Sequence, residues 1–335
     1  MRKIKIAQIG TSEFSHGGQV FNSLSRNSDI FEIVGYVMPE NECEKFASAM
    51  GKCSFEKYKE LSLDEVLKNP EIEAVTIETE EIYITKYAQM AAEHKKHIHM
   101  EKPGGTNLAD FEKLIDTVKK NKTVFHTGYM YRYNPYIMEL KEQIKNGELG
   151  DIVSVEAQMN CFHPKHIRQW LGNFPGGMMF FLGCHLVDLI YSIMGKPDKI
   201  IPINKCSGID GVTAEDFGMA VFEYENGVSF AKASAVELGG FERRQLVVSG
   251  TNKTVELKPL ERNIEGGNIV TERYIRDSAD WSANTPKEIT PPFNRYDSMM
   301  RSFAQMVIGE KENPWGYDYE LELYKILLKA CGCNL

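Results

Sequence analysis

Lys102 stands in Glu101-Lys102-Pro103-Gly104, directly after the run His97-Ile98-His99-Met100. Proline gives no amide hydrogen to a ladder and fixes its own φ, so a strand over 98–100 must stop there in a rigid turn. The turn is predicted to follow a fifth strand of an open α/β sheet, and such sheets bind ligands outside the carboxyl ends of their strands. An ammonium in that place can steady a developing oxyanion. About 80 residues later comes Gly183-Cys184-His185-Leu186-Val187-Asp188. The His185 imidazole can take a proton from a hydroxyl, and Asp188 follows one helical turn on along the same face. Lys102 is therefore expected to face a cofactor or a substrate.

These residues need elements to position them. Residues 1–123 alternate strand and helix patterns. Ile4–Ile9 is a short apolar run ending at Gly10, which marks a buried strand. Val20–Leu24 fits a helix, Ile30–Met38 a second strand and Cys43–Met50 a second helix. A short strand and a helix are expected between Phe55 and Leu67, then strands at Ala74–Ile77 and Ile98–Met100. Helices are expected at Tyr83–His94 and Asn107–Lys120. This order predicts a doubly wound parallel sheet with right-handed crossovers, the first of two α/β domains. From residue 124 to 335 the pattern changes. A helix over Asn134–Asn146 precedes a strand at Asp151–Asn160, a hairpin-like break at Gly176-Gly177 and a helix over Cys184–Met194. Strands at Ile200–Lys205, Gly218–Tyr224, Ser229–Val236, Gln245–Ser249 and Thr254–Leu257 follow, joined by short turns. They predict a large, mostly antiparallel open sheet. Residues 261–293 are polar and carry no periodic signal; helices at Arg295–Ile308 and Tyr319–Ala330 close the chain.

The 335 residues suit two domains, and 42% hydrophobic with 26% charged residues is a globular composition. A net charge of −8 argues against nucleic acid as a partner. No run approaches the roughly 20 apolar residues that cross a bilayer, and the start lacks a signal-peptide core, so a cytoplasmic protein away from membranes is expected. Seven scattered cysteines read as reduced thiols.

The combination resembles the Gfo/Idh/MocA family of NAD(P)-dependent sugar and cyclitol oxidoreductases. Glu101-Lys102-Pro103 carries the resemblance, with Gly176-Gly177, Gly183-Cys184-His185-Leu186-Val187-Asp188, and Arg244-Gln-Leu246 leading to Gly250-Thr251 and Val255-Glu256-Leu257. It covers nearly the whole chain. It implies a Rossmann-type domain followed by an α/β domain whose open sheet forms homodimers or homotetramers. It also implies Lys102 and His185 as catalytic residues around a carbohydrate-like carbinol, with NAD or NADP as cofactor and NAD the slightly favoured choice. The family's aspartate four residues before the histidine falls here at Phe181, which cannot polarise an imidazole. Its glycine-rich turn reads Gly10-Thr11-Ser12-Glu13-Phe14-Ser15-His16-Gly17-Gly18, with Ser12 and Ser15 in place of glycines. The ribose-binding acid aligns at Met38-Pro39, with Glu40 two residues late, and Thr79 is followed by Glu80 and Glu81. Gly10, Ser12, Phe14, Met38, Thr79, Glu101 and Lys102 are therefore the expected cofactor contacts. Glu13, Glu80 and Glu81 bring negative charge to the rim of a diphosphate site, where like charges repel.

Arg132, His163, His166, Arg168, Trp170 and Asp188 are expected around the substrate. Arg132 could orient a hydroxyl or tie domains together, and Trp170 could face a sugar ring or pack. His163, His166, His185 and Asp188 could instead ligate a divalent ion, although no metal is expected. His94 and His97 read as helix-end residues, His99 and His126 as structural, and His16 as a possible anion contact. A non-redox sugar lyase or hydrolase, and a silent sugar or dinucleotide sensor, remain open beside the oxidoreductase.

Overall fold

The computed structural model describes residues 2–12, 15–39, 42 and 55–335. The helix expected over Cys43–Met50, and Glu13, Phe14, Glu40 and Lys45, lie outside them. Two compact units form: Met1–Tyr129 with Tyr296–Tyr324, and Met130–Arg295 with Lys325–Leu335. Residues 296–324, assigned to the second domain from sequence, thus belong to the first unit.

Among the described residues the first unit holds a parallel sheet of β1 (Ile4–Ile9), β2 (Phe31–Val37), β3 (Ala74–Ile77), β4 (His97–Met100) and β5 (Phe125–Thr127), ordered β2-β1-β3-β4-β5. Every residue of β3 is buried, as expected when helices cover both faces. The helices are α1 (Gly17–Arg26), α2 (Leu63–Lys68), α3 (Ile84–Glu93) and α4 (Leu108–Asn121). A capping box starts α2: the Ser62 hydroxyl accepts from the Glu65 amide, and the Glu65 carboxylate accepts from the Ser62 amide. Asn107 caps α4 in the same sense. The short strand expected after Phe55 is only an isolated bridge between Tyr36 and Glu60. Glu101-Lys102 therefore follows the fourth described strand, not a fifth. The true fifth, β5, pairs with β4 and lies beyond the sequence boundary at 123. Its three residues are too few for an alternation to show.

The second unit is built on an eight-stranded sheet ordered β15-β14-β11-β10-β6-β9-β8-β7. Its strands are β6 (Ile152–Asn160), β7 (Lys199–Pro202), β8 (Phe217–Tyr224), β9 (Gly227–Ser234), β10 (Gln245–Gly250), β11 (Thr254–Leu257), β14 (Glu272–Arg276) and β15 (Lys287–Ile289). Only the β6–β9 pair is parallel. Two short strands, β12 (Arg262–Asn263) and β13 (Ile269–Val270), pair separately. Four strands thus occupy the stretch that showed no periodicity. Strand β14, one in from the sheet edge, is held through charge: Arg273 reaches Glu139 and Glu288, and Arg276 reaches Glu256. Helix α5 (Pro135–Lys145) starts on Asn134, whose side chain accepts from the Tyr136 and Ile137 amides. Between α5 and α7 (Cys184–Met194) lies the short α6 (Lys165–Trp170). Gly176 and Gly177, at φ 66° and 45°, make no hairpin. They turn the chain so closely past Glu215 that a Cβ on Gly177 would lie 2.2 Å from its carbonyl oxygen. The closing helices are α8 (Asp297–Val307) and α9 (Tyr317–Ala330). Inside the first unit, α8 is anchored by Arg26 on Asp297 and Arg301 on Asp29.

Candidate functional site

In the first unit, the strand order places β1 between β2 and β3, so the crossovers reverse direction at β1. That reversal opens a crevice at the carboxyl ends of the strands. Gly10 follows β1, Met38 follows β2, Thr79 lies just beyond β3, and Glu101 and Lys102 follow β4. All five therefore sit on one edge of the sheet. Gly10 has φ 97°, and a Cβ there would stand 2.5 Å from the Thr79 amide nitrogen. Only glycine allows the two loops to approach so closely. The Ser15 hydroxyl donates to the Glu78 carbonyl and accepts from the Gly17 amide, so a serine holds the turn where a glycine was expected. The first amide of α1 is thus taken by Ser15, and His16 adds no side-chain cap of its own. Past the end of β2 a cleft of about 980 Å³ is lined by Met38, Pro39, Leu61, Tyr83, Tyr87 and Met90.

The acids of this edge are buried. Glu42 is fully enclosed, and its carboxylate accepts from the backbone amides of Thr11 (2.8 Å) and Glu80 (3.0 Å). Lys102, also fully buried, lies 3.7 Å from Glu101 Oε1, and His16 Nδ1 lies 3.6 Å from the same oxygen. Burial works against ionisation of Glu101. His16, the Lys102 ammonium and His99 together outweigh it and hold the carboxyl below its usual range. Glu78 is pushed well above its usual range, by burial first and then by Glu101 and Glu81. Burial likewise pushes Glu81 up to about 8, against the pull of Lys102. At neutral pH the cluster therefore carries an ionised Glu101 beside Lys102 and a neutral Glu81, with Glu78 shifted in the same direction as Glu81. His99 and His126 share a 2.7 Å contact between their Nδ1 atoms, and burial lowers His99 to about 4. His94 Nδ1 donates to the Met90 carbonyl of its own helix end.

In the second unit, His185 sits in the first turn of α7, 2% exposed, with the Tyr131 ring edge-on at 5.5 Å. Asp188 is gripped by Arg132: Nε lies 3.1 Å from each carboxylate oxygen and Nη2 lies 2.8 Å from Oδ1. Both are buried, so this charge-assisted fork is an internal tie. Arg168 is fully buried too, bonded to Asp210, Asp216 and the His163 and Ile209 carbonyls. Trp170 and His163 face Phe181 at 5.3 and 6.1 Å, so the phenyl ring replaces a carboxylate with an aromatic wall. Burial, and then Arg244, lowers His163 to about 4. His166 is exposed on α6. Among the described residues no group of three His, Cys, Asp or Glu side chains is arranged to hold a metal ion, so the set His163, His166, His185 and Asp188 is not brought together as ligands.

Two sequence profiles match. Residues 4–129 match the "Oxidoreductase family, NAD-binding Rossmann fold" profile, and residues 137–256 match the "GFO/IDH/MocA C-terminal domain" profile. The chain belongs to the Gfo/Idh/MocA family. An uncharacterized oxidoreductase of Escherichia coli, YhhX, is 32% identical over 140 residues, covering 41% of this chain and 40% of that protein. Myo-inositol 2-dehydrogenase of Thermotoga maritima is 24% identical over 208 residues, covering 61% and 59%. The matched stretch thus spans roughly half the length of these curated relatives. The structure of aldose-aldose oxidoreductase from Caulobacter crescentus, complexed with glycerol, superposes with a TM-score of 0.77 at 17% identity, covering 99% of this chain and 98% of that one. It shares the fold.

For a Gfo/Idh/MocA member the altered first turn matters most. The residues present fit a dinucleotide at two points: the Gly10–Thr79 approach, and the raised pKa of Glu81, which removes one negative charge near neutral pH. Glu42 and Glu78 escaped the sequence reading as site residues. Glu42 acts through the amides of Thr11 and Glu80, far along the chain, and no local pattern marks it.

Proposed function

We propose that this family member is an NAD(P)-dependent oxidoreductase acting on a CH–OH group of a sugar, cyclitol or sugar derivative. One observation carries the reading. A fully buried lysine stands beside an ionised glutamate, on the same sheet edge as the Gly10 turn. A buried ammonium held by one carboxylate is a preorganised electrostatic group. In the proposed reaction Lys102 steadies the substrate oxygen as it gains charge, and His185 takes its proton. The nicotinamide, when bound, accepts or returns the hydride. Gly10, Ser12 and Thr79 would hold the diphosphate, and Met38 would face the adenosine end with the cleft behind it; Phe14 belongs to the same proposed set. Phe181 and Trp170 would give a sugar ring an apolar face, and Asp188, Arg132 and Arg168 would shape the pocket from behind. The polyol substrates named for the myo-inositol and aldose relatives favour the same class. The open sheet of the second unit would mediate homodimers or tetramers, and half-exposed Val153 and Val228 supply apolar surface there.

The test is nicotinamide absorbance across a panel of sugars, cyclitols and their glycosides with each dinucleotide. At least one pair should turn over, and Lys102→Met should stop it. Turnover that survives Lys102→Met would remove the lysine from the chemistry.

A further inference from the structure

Glu42 is a carboxylate that the chain gives to its own backbone. It lies beyond β2, in a short turn where its amide donates to the Pro39 carbonyl at 2.8 Å. The residue is 0% exposed. One oxygen, Oε2, accepts from the Thr11 amide at 2.8 Å, and the other, Oε1, accepts from the Glu80 amide at 3.0 Å. The two amides belong to different loops, one following β1 and one following β3. These are the loops that only a glycine at position 10 allows to meet. Backbone amides that converge from the first turn of such a sheet and from its neighbour form an anion cradle. The carboxylate of Glu42 fills it.

That filling leaves one group over. The Thr11 hydroxyl, on the residue that gives the first amide, is enclosed and has no hydrogen-bond partner. Native interiors satisfy their buried polar groups, so this hydroxyl lacks an acceptor. Each oxygen of the Glu42 carboxylate already faces an amide. A diphosphate offers more oxygens than a carboxylate, enough for a hydroxyl as well as the amides. Charge points the same way. Burial raises Glu78 most, and Glu42 is one of three carboxylates that add to it, so Glu42 stands among the acids of this edge. A ligand anion seated beside Glu42 would add to that repulsion. One that takes its place exchanges a negative group for another.

We infer that the Glu42 carboxylate stands in for a phosphate group of the dinucleotide, holding the Thr11 and Glu80 amides in the free protein and yielding them when the cofactor binds. This rests on the oxidoreductase reading, which supplies the dinucleotide. Binding is then an exchange of anions. The state with an open cradle is only fractionally populated, and the apparent affinity falls by that fraction. The rival role, in which Glu42 accepts from ribose hydroxyls, needs a carboxylate that hydroxyls can reach, and Glu42 is fully enclosed.

The test is calorimetric titration of the full chain, wild type and variant, with NAD, NADP, ADP and adenosine. In Glu42→Ala, ADP and at least one dinucleotide should bind about tenfold tighter than in the wild type, since charge-assisted hydrogen bonds no longer have to be given up. Adenosine, which has no phosphate, should gain nothing. Glu42→Gln keeps the length of the side chain and one acceptor oxygen without the charge. It should gain in part, and serves if Glu42→Ala fails to fold. Equal or weaker binding of the phosphate compounds in the folded variant would overturn the inference, and a loss shared by adenosine would assign the carboxylate to the ribose. A gain shared by adenosine would also overturn it, because the variant would then have opened space and not an anion site. Dinucleotide turnover by the wild type with no gain in either variant would overturn it while leaving the oxidoreductase reading intact. A gain for ADP with neither dinucleotide bound by any form would do the reverse. No binding of any phosphate compound by any form would overturn both.

Discussion

Glu81 shows what burial does to a carboxyl group. It is 1% exposed, and neither oxygen has a hydrogen-bond partner. With its pKa raised from 4.5 to about 8, the folded protein keeps a proton there that the unfolded chain releases. The stabilising contribution is full below about 4.5 and is lost as pH rises through 8. Glu78 acts in the same direction. The urea midpoint of the wild type should therefore fall between slightly acidic and slightly alkaline pH, and Glu81→Gln should flatten that fall. An unchanged slope in the variant would assign it to other groups. At Lys102 the expectation is kinetic: Lys102→Met should lower kcat by about 10²- to 10³-fold, as removal of an oxyanion donor does. Lys102 was legible because Pro103 punctuates it, and His185 because of the surrounding motif. Glu42 was not, since its amide partners Thr11 and Glu80 lie 31 and 38 residues away. Glu42→Ala should free both amides, and hydrogen exchange there should quicken. Unchanged protection would mean that the carboxylate does not hold them.

Helix α7 was read from the sequence with its observed limits, Cys184–Met194, because its apolar face is long and Gly195 ends it. The tie that fixes it was not. Arg132 lies in a 3₁₀ turn 56 residues before Asp188, and nothing in either segment announces the pair. Arg132→Met should cost about 3–5 kcal/mol by removing the guanidinium fork from a buried Asp188, measured by urea denaturation. A loss below 1 kcal/mol would show that Asp188 finds another partner. Asn134 is a second anchor: it caps α5, and its amide donates to the Thr271 hydroxyl at 2.7 Å. Strands β12 to β15 were illegible for a related reason. Two are two residues long, and β14 reads as a charged loop until Glu139, Glu256 and Glu288 neutralise its arginines.

At the scale of the whole chain, alternating strand and helix patterns announced a parallel sheet, and short turns between later strands announced a mostly antiparallel one. Both formed. The boundary was less legible. Residues 296–324 return to the first unit, where Tyr324 donates to the Gly105 carbonyl and Thr127 donates to Glu320. Such long-range returns leave no local signal. Among the described residues no helix is long and apolar enough to cross a membrane. The account depends on the Gly10 edge accepting a dinucleotide despite the buried glutamates Glu42, Glu78, Glu80, Glu81 and Glu101. The direct measurement is calorimetric titration of the purified chain with NAD and with NADP at neutral pH, below the Glu81 pKa of about 8. The account predicts saturable binding of at least one of them below about 1 mM, within the usual range for enzymes and their substrates. No binding of either at millimolar concentration would contradict it.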